Sequence, residues 1–106
     1  MSQKPPDKIY GLLSLAMKAG GIAAGETAAE AAISGGKAYL AVIAKDSTAG
    51  TKKKFENHCR YYEVPYIEFG EKEKLGHSIG KDQRSILAVT NESLAGAVLK
   101  SKQGGK

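Results

Sequence analysis

Ala38 to Ala44 reads AYLAVIA, an unbroken apolar run of strand length. A strand with one wet face alternates apolar and polar residues, whereas a strand covered on both faces has no need to. A chain built around such a strand must lay something apolar on each side of the sheet. The segments flanking the run can do so, because helix-like and strand-like stretches alternate along the whole chain.

Asp7 can cap a helix running to about Lys18, with Ile9, Leu12, Leu13 and Ala16 on one face. Ala19-Gly20-Gly21 stops it. A short extended piece, Ile22 to Ala24, leads into an alanine-rich helix from Glu26 to Ser34, which Gly35-Gly36 ends. After the apolar run a helix is expected from about Thr48 to Tyr62, ending near Glu63 because Pro65 disfavours helix at Val64. Val64 to Phe69 (VPYIEF) reads as a strand, Lys72 to Ile79 as a short helix closed by Gly80, and Ser85 to Thr90 (SILAVT) as a further strand. Asn91 can cap a last helix from Glu92 to about Lys100, with Leu94, Val98 and Leu99 inward. Such alternation predicts an α/β sandwich with helices on both faces of one sheet.

A length of 106 residues suits a single domain, with an ordered core at about 7–100 and frayed ends at 1–6 and 102–106. No apolar run approaches the roughly 18 to 20 residues of a membrane-spanning helix. The stretch after Met1 is polar and contains proline, unlike a signal peptide. Cys59 is the single cysteine, so it forms no internal disulfide and builds no cysteine zinc site. These features lead us to expect a cytoplasmic protein.

Charge is unevenly placed. Lysine and arginine number 16 against 11 acidic residues, a net +5. Between Lys37 and Arg60 lie Lys37, Lys45, Lys52, Lys53, Lys54 and Arg60, opposed only by Asp46 and Glu56. From Tyr61 to Gly80 the balance reverses, with Glu63, Glu68, Glu71 and Glu73 against Lys72 and Lys74. One basic region on an otherwise balanced chain favours a polyanionic partner, the alternative being a solvated lysine-rich surface.

Three stretches fit that partner. In AGETAAEAAISGG the helix has little bulk to bury, and its start has two competing caps: Gly25 directly, or Thr27 with Glu30 as a capping box. Either leaves backbone N–H groups free, and a glycine lets a phosphate or base edge come close. The plain alternative is that Gly25 makes a turn and the alanines allow close helix–sheet contact. Lys52, Lys53 and Lys54 sit near a helix N-terminus, where cations are disfavoured by ~0.3 to 1 kcal/mol each unless an anion is near. In GKDQRS, Lys81, Gln83 and Arg84 are suitable donors for phosphates and base edges. Catalytic chemistry has no comparable support. His58 and Cys59 are neighbours on a helix and point apart, and Gly36-Lys37 lacks both the first glycine and the hydroxyl of a phosphate-binding loop.

Together, LLSLAMKAGGIAAGE, SGGKAYLAVIAKDST, TKKKFENHCRYYEVPY and LGHSIGKDQRSILAVT, in that order, resemble the kink-turn-binding ribosomal-protein superfamily (L-seven-Ae type), in its small bacterial YlxQ-like branch. The resemblance covers about residues 8–99. It implies a three-layer α/β/α sandwich with a four-stranded mixed sheet, in which Ile22 to Ala24 is the extra strand. It also implies a non-catalytic protein, without cofactor or metal, that binds structured RNA of the kink-turn type, with association to ribosomal RNA, the ribosome or translation factors as its setting. The RNA-contacting segments it implies are Gly25, Glu26 and Thr27; Lys45, Asp46, Ser47 and Thr48, extending to Lys52; and Gly80, Lys81, Gln83, Arg84 and Ser85. These three loops are expected side by side at one end of the sandwich, with Lys72 outside them. Archaeal and eukaryotic members carry Gly-x-Asn-Glu and a later lysine; here Ala28 and Ala31 stand at the last of those positions and at the lysine, so direct guanine readout is expected to be weaker. A protein-interaction module of the translation apparatus on the same fold is the alternative, and the chain is expected to be a monomer.

Overall fold

The computed structural model describes residues 5–104, with side chains from Lys8 to Lys102. In chain order the elements are α1 (Pro5–Lys18), β1 (Ile22–Ala24), α2 (Glu26–Ser34), β2 (Leu40–Ile43), α3 (Ala49–Tyr62), β3 (Tyr66–Glu68), α4 (Lys72–Ser78), β4 (Ile86–Val89) and α5 (Glu92–Gly104). The terminal helices are longer than expected. α1 begins at Pro5, two residues before Asp7, since proline at the first helical position loses only an N–H that has no partner there. α5 runs on to Gly104 instead of ending near Lys100. The remainder of the expected frayed ends, 1–4 and 105–106, lies outside the described residues.

The sheet order is β1-β4-β2-β3. β4 pairs antiparallel with both β1 and β2, and β3 pairs parallel with β2, so the sheet is mixed as expected. The apolar run supplies its centre. Leu40, Val42 and Ala44 face one layer, built from α1, α4 and α5 with Ile9, Leu13, Leu75 and Val98. Ala41 and Ile43 face the other, built from α2 and α3 with Ala29, Ile33, Phe55 and Cys59. Every residue of β2 is fully buried. Burying a large aliphatic side chain contributes about 1.5–3 kcal/mol, so this strand ties both helical layers to one sheet.

The alanines of α2 divide by side. Ala29 and Ala32 are buried with Ile33, while Ala28 and Ala31 face solvent. Small side chains on the inner face let α2 lie close to the sheet and to α3. The register places the ends of β1, β2 and β3 together with the start of β4: Ala24 is opposite Leu87, and Ile43 is opposite both Ile86 and Glu68. The segments that follow Ala24, Ile43 and Glu68 and the one that precedes Ile86 therefore meet at one end of the sandwich.

Candidate nucleic-acid interface

Gly25 is the N-cap of α2, with φ +92° and ψ 170° and no side-chain cap. This backbone conformation is essentially reserved for glycine. The Thr27–Glu30 capping box does not form: Thr27 lies within the helix, and Glu30 pairs with Lys54 at 3.5 Å. The first N–H to donate within α2 is that of Ala29, to Gly25 O at 2.9 Å. The N–H groups of Glu26, Thr27 and Ala28 are thus directed out past the helix start. Gly25 N–H itself donates to Ile86 O (3.0 Å), which pins the turn to β4.

Arg84 lies against this turn. A β-carbon on Gly25 would sit 3.7 Å from Arg84 Cδ and Nε. The guanidinium folds back on its own loop, donating from Nη1 to Asp82 O (3.1 Å) and Gln83 O (3.0 Å). The start of α2 and residues Gln83 to Ser85 line an open groove of about 580 Å³. A second groove, of about 240 Å³, adjoins it and is lined by Glu26, Gln83 and Ser85 together with Ser47, Thr48, Thr51 and Lys72.

Glu26 stands between the two. Its Oε2 accepts from Thr51 Oγ1 (3.4 Å) and Ser85 Oγ (3.5 Å), linking α2 to α3 and to the segment before β4. Thr48 caps α3 by accepting from Thr51 N–H at 3.1 Å. Ser47 is buried, and its hydroxyl donates to Ser85 O (3.1 Å). Asp46 accepts Lys72 N–H through Oδ1 at 2.8 Å. Its carboxylate thereby satisfies an otherwise free amide at the start of α4, a structural role whatever else it contacts.

Of the thirteen residues singled out from the sequence, Gly25, Glu26, Thr27, Ser47, Thr48, Gln83, Arg84 and Ser85 line the paired grooves. Lys45 is exposed at the same end, its N–H bonded to Gly70 O (2.8 Å). Lys52 turns to the sheet edge, where Nζ is 3.6 Å from Glu68 Oε1. Gly80 closes α4 with φ +74°. Lys81 lines a separate groove with Glu73, His77, Asp82 and Gln83. Two contributors were missed. Thr51 sits in the first turn of α3, and Lys72, expected outside the loops, enters the second groove because Asp46 holds its backbone there. A lysine at the first helical position was the available signal for Lys72, hidden by the acidic residues around it.

The basic stretch is also more divided than its sequence suggests. Lys52 and Lys54 are spent on Glu68 and Glu30. His58 and Cys59 do diverge on α3: the His58 ring contacts Phe55 and Tyr62, and Cys59 is fully buried, with burial pushing its thiol pKa up to about 11. Among the described residues no cluster of His, Cys, Asp and Glu could hold a metal, and no helix is long and apolar enough to cross a membrane. The resulting end of the molecule joins the N-termini of α2, α3 and α4, each with a partial positive charge, to the side chains of Arg84 and Lys72.

Residues 7–98 match the model of the Ribosomal protein L7Ae/L30e/S12e/Gadd45 family. The RNA-binding protein YlxQ of Bacillus subtilis (strain 168) is 34% identical over 90 residues, covering 85% of this chain and 90% of that one. The RNA-binding protein YlxQ of Enterococcus faecium is likewise 34% identical, over 91 residues, covering 86% of this chain and 88% of that one. Among solved structures, a protein of unknown function from Bacillus halodurans superposes with a TM-score of 0.87 at 28% identity, covering 91% of this chain and 97% of the other. The Giardia lamblia 15.5kD RNA binding protein shares the fold, with a TM-score of 0.77 at 19% identity over 99% of this chain and 91% of its own. The chain belongs to the L7Ae/L30e/S12e/Gadd45 family and is YlxQ-like.

Proposed function

We propose that this family member is a non-catalytic, cytoplasmic RNA-binding domain whose ligand docks on the paired grooves at the end of the sandwich. The observation that carries the reading is the meeting of Gly25 and Arg84. Residues 59 positions apart put an unobstructed helix start beside a guanidinium in one open groove. Free amides there suit phosphate oxygens and base-edge acceptors, and the missing side chain at Gly25 admits them to hydrogen-bond distance. The family match and the names of the YlxQ relatives support RNA as the ligand.

The finer reading is a sharply bent, kink-turn-type RNA in a ribosome-associated setting. Three helix starts and a concave pair of grooves favour a backbone that turns over them, whereas a straight duplex presents a smooth surface. Ala28 and Ala31, both exposed, offer no polar side chain to a guanine, so affinity on this reading comes from shape and backbone contact more than from base-specific side chains.

The test compares Gly25→Leu with Lys18→Ala, both checked for folding by thermal melting, on a kink-turn RNA and on a straight duplex. Lys18 ends α1 close to Gly21, whose carbonyl accepts Thr90 N–H beyond the end of β4 opposite to Ile86. Gly25→Leu is expected to lose at least about tenfold in kink-turn affinity, on the order of 1.4 kcal/mol, and Lys18→Ala to lose little. Full kink-turn affinity in a folded Gly25→Leu protein would remove the assigned site. Equal wild-type affinity for the two RNAs would remove the preference for a bend.

A further inference from the structure

The C-terminal half of α3 carries aromatic side chains that the grooves leave unused. Tyr61 is 79% exposed and Tyr62 41%. Their rings meet edge to face with centroids 4.8 Å apart. Tyr62 rests on His58 (5.1 Å), and His58 on Phe55 (6.4 Å), which is fully buried. His58 Nε2 is also 3.4 Å from Glu30 O of α2. The exposed pair is therefore the outer end of a row of rings rooted in the core, held in place without being covered. An edge-on pair leaves aromatic face open to a third planar group.

The surroundings select the kind of group. Beside the rings, Arg60 is held by Asn57 Oδ1 (3.4 Å from Nη1) and by Tyr66 OH (3.2 Å from Nη2). Gly50, Lys53, Lys54, Asn57, Arg60 and Tyr61 are all exposed and recur every three or four residues, which places them along one stripe of the helix. Of the charged residues of Ala49–Tyr62, Lys52 and Lys54 pair with Glu68 and Glu30, which leaves Lys53 and Arg60 against Glu56. The stripe begins beside Thr48, which lines the second groove, and over 14 residues it extends about 20 Å to the tyrosines. No exposed large aliphatic side chain on α3 accompanies the rings, so the patch offers a protein partner little apolar rim.

We propose that this face of α3 is a track for single-stranded RNA, leading from RNA seated in the grooves to a base-stacking platform at Tyr61 and Tyr62. Lys53 and Arg60 supply positive charge along the backbone, and an unpaired base stacks on the Tyr61 ring. The inference rests on the RNA reading of the grooves, but its contacts are separate from them.

Two measurements test it and keep the two failures apart. In the first, Tyr61→Ala and Tyr61→Phe are titrated with a kink-turn RNA that is blunt or extended at either end by an oligouridine tail of about eight nucleotides. One stacked base corresponds to about a fivefold to hundredfold gain in affinity. Tyr61→Ala is expected to lose that gain for one tailed RNA while binding the blunt RNA as the wild type does, and Tyr61→Phe, which keeps the ring, to retain it. In the second, oligouridine alone is added to wild type, to Gly25→Leu and to Tyr61→Ala, with tyrosine fluorescence as the readout, the chain having five tyrosines and no tryptophan. Quenching in the wild type and in Gly25→Leu but not in Tyr61→Ala is expected, whatever becomes of the groove assignment. Tails that add no affinity to the wild type, or an equal gain in wild type and Tyr61→Ala, would overturn the track. So would loss of a protein partner from Tyr61→Ala with RNA binding intact, which would assign the rings to protein.

Discussion

Gly76 touches no ligand on any reading, yet its replacement by alanine should disturb the grooves. It is buried in α4, where the segment before β4 crosses it. A β-carbon built on Gly76 would overlap the Asp82 carbonyl, standing 2.5 Å from its carbon and 2.9 Å from Gln83 Cα. Carbon–carbon contacts are optimal at ~3.5 Å, so the Asp82–Gln83 backbone must retreat by roughly 1 Å. Two bonds fix that backbone, Lys81 N–H to Gly76 O (2.9 Å) and Arg84 N–H to Lys72 O (3.0 Å). Overpacking against a constrained neighbour costs about 1–3 kcal/mol, partly offset by the ~0.5–1 kcal/mol that alanine gains over glycine inside a helix. The expected net loss is about 1–2 kcal/mol, and each kcal/mol lowers the melting temperature by about 4–8 °C in a domain of this size. Gly96→Ala on α5 is the internal comparison, because nothing lies within 4 Å of its β-carbon position. It should show the helical gain alone and melt higher than the wild type. Denaturation of both variants with an RNA titration checks the reasoning: Gly76→Ala should be the less stable and the weaker binder, through displaced Gln83 and Arg84. Equal stability of the two variants, with unchanged RNA affinity, would refute it.

Other expectations follow from single contacts. Asp46→Ala should cost about 1 kcal/mol, the usual worth of a helix-start acceptor, and should weaken RNA binding by releasing Lys72; chemical denaturation and a binding titration read the two effects. Glu63 is the one non-glycine residue at positive φ among those described (φ 60°), so Glu63→Gly should stabilise by a few tenths to about 1 kcal/mol in thermal melting. The buried Cys59 thiol, raised from 9.0 to about 11, keeps its proton in the folded chain after the unfolded chain has lost it; stability should therefore fall as pH rises from about 9 to about 11, and Cys59→Ala should flatten that slope in denaturant midpoints. If four cations, such as Lys45, Lys72, Lys81 and Arg84, reach phosphates, the log–log dependence of affinity on salt should have a slope on the order of −3, with a slope near zero arguing against phosphate contact.

Much of the fold could be read locally. The AYLAVIA run, the punctuation at Gly35-Gly36 and Pro65 and the cap at Asn91 each act within a few residues, and Leu94 N–H does bond Asn91 Oδ1 at 2.9 Å. The meeting of the three loops also followed from the resemblance and from their positions beside strand ends. What stayed hidden were choices between partners distant in sequence. Lys52 selects Glu68, Lys54 selects Glu30, and Asp46 reaches Lys72, because the strand order brings those segments together. Nothing in a lysine run says which of its ammonium groups will be neutralised. The same applies to Gly76, whose missing side chain matters only once the Asp82 backbone crosses it.

The Ser85 carbonyl already accepts two hydrogen bonds, from Ala44 N–H (2.9 Å) and Ser47 Oγ (3.1 Å). Asp82 O and Gln83 O are engaged by Arg84, Ile86 O by Gly25 N–H, and Glu26 Oε2 by two hydroxyls. With those oxygens engaged, the free hydrogens at the rim are the amides of Glu26, Thr27 and Ala28 and the remaining guanidinium N–H groups, while the Glu26 carboxylate and the Gln83 amide keep acceptor sites in the groove wall. Such a surface has a chemical handedness towards its ligand. Phosphate oxygens and the N7 and O6 of a purine find partners at the amides, and an exocyclic amino group finds one only where it reaches Glu26 or Gln83. Removing one acceptor atom from the RNA, as in a 7-deazapurine at the base seated on the α2 amides, should therefore cost affinity at this groove.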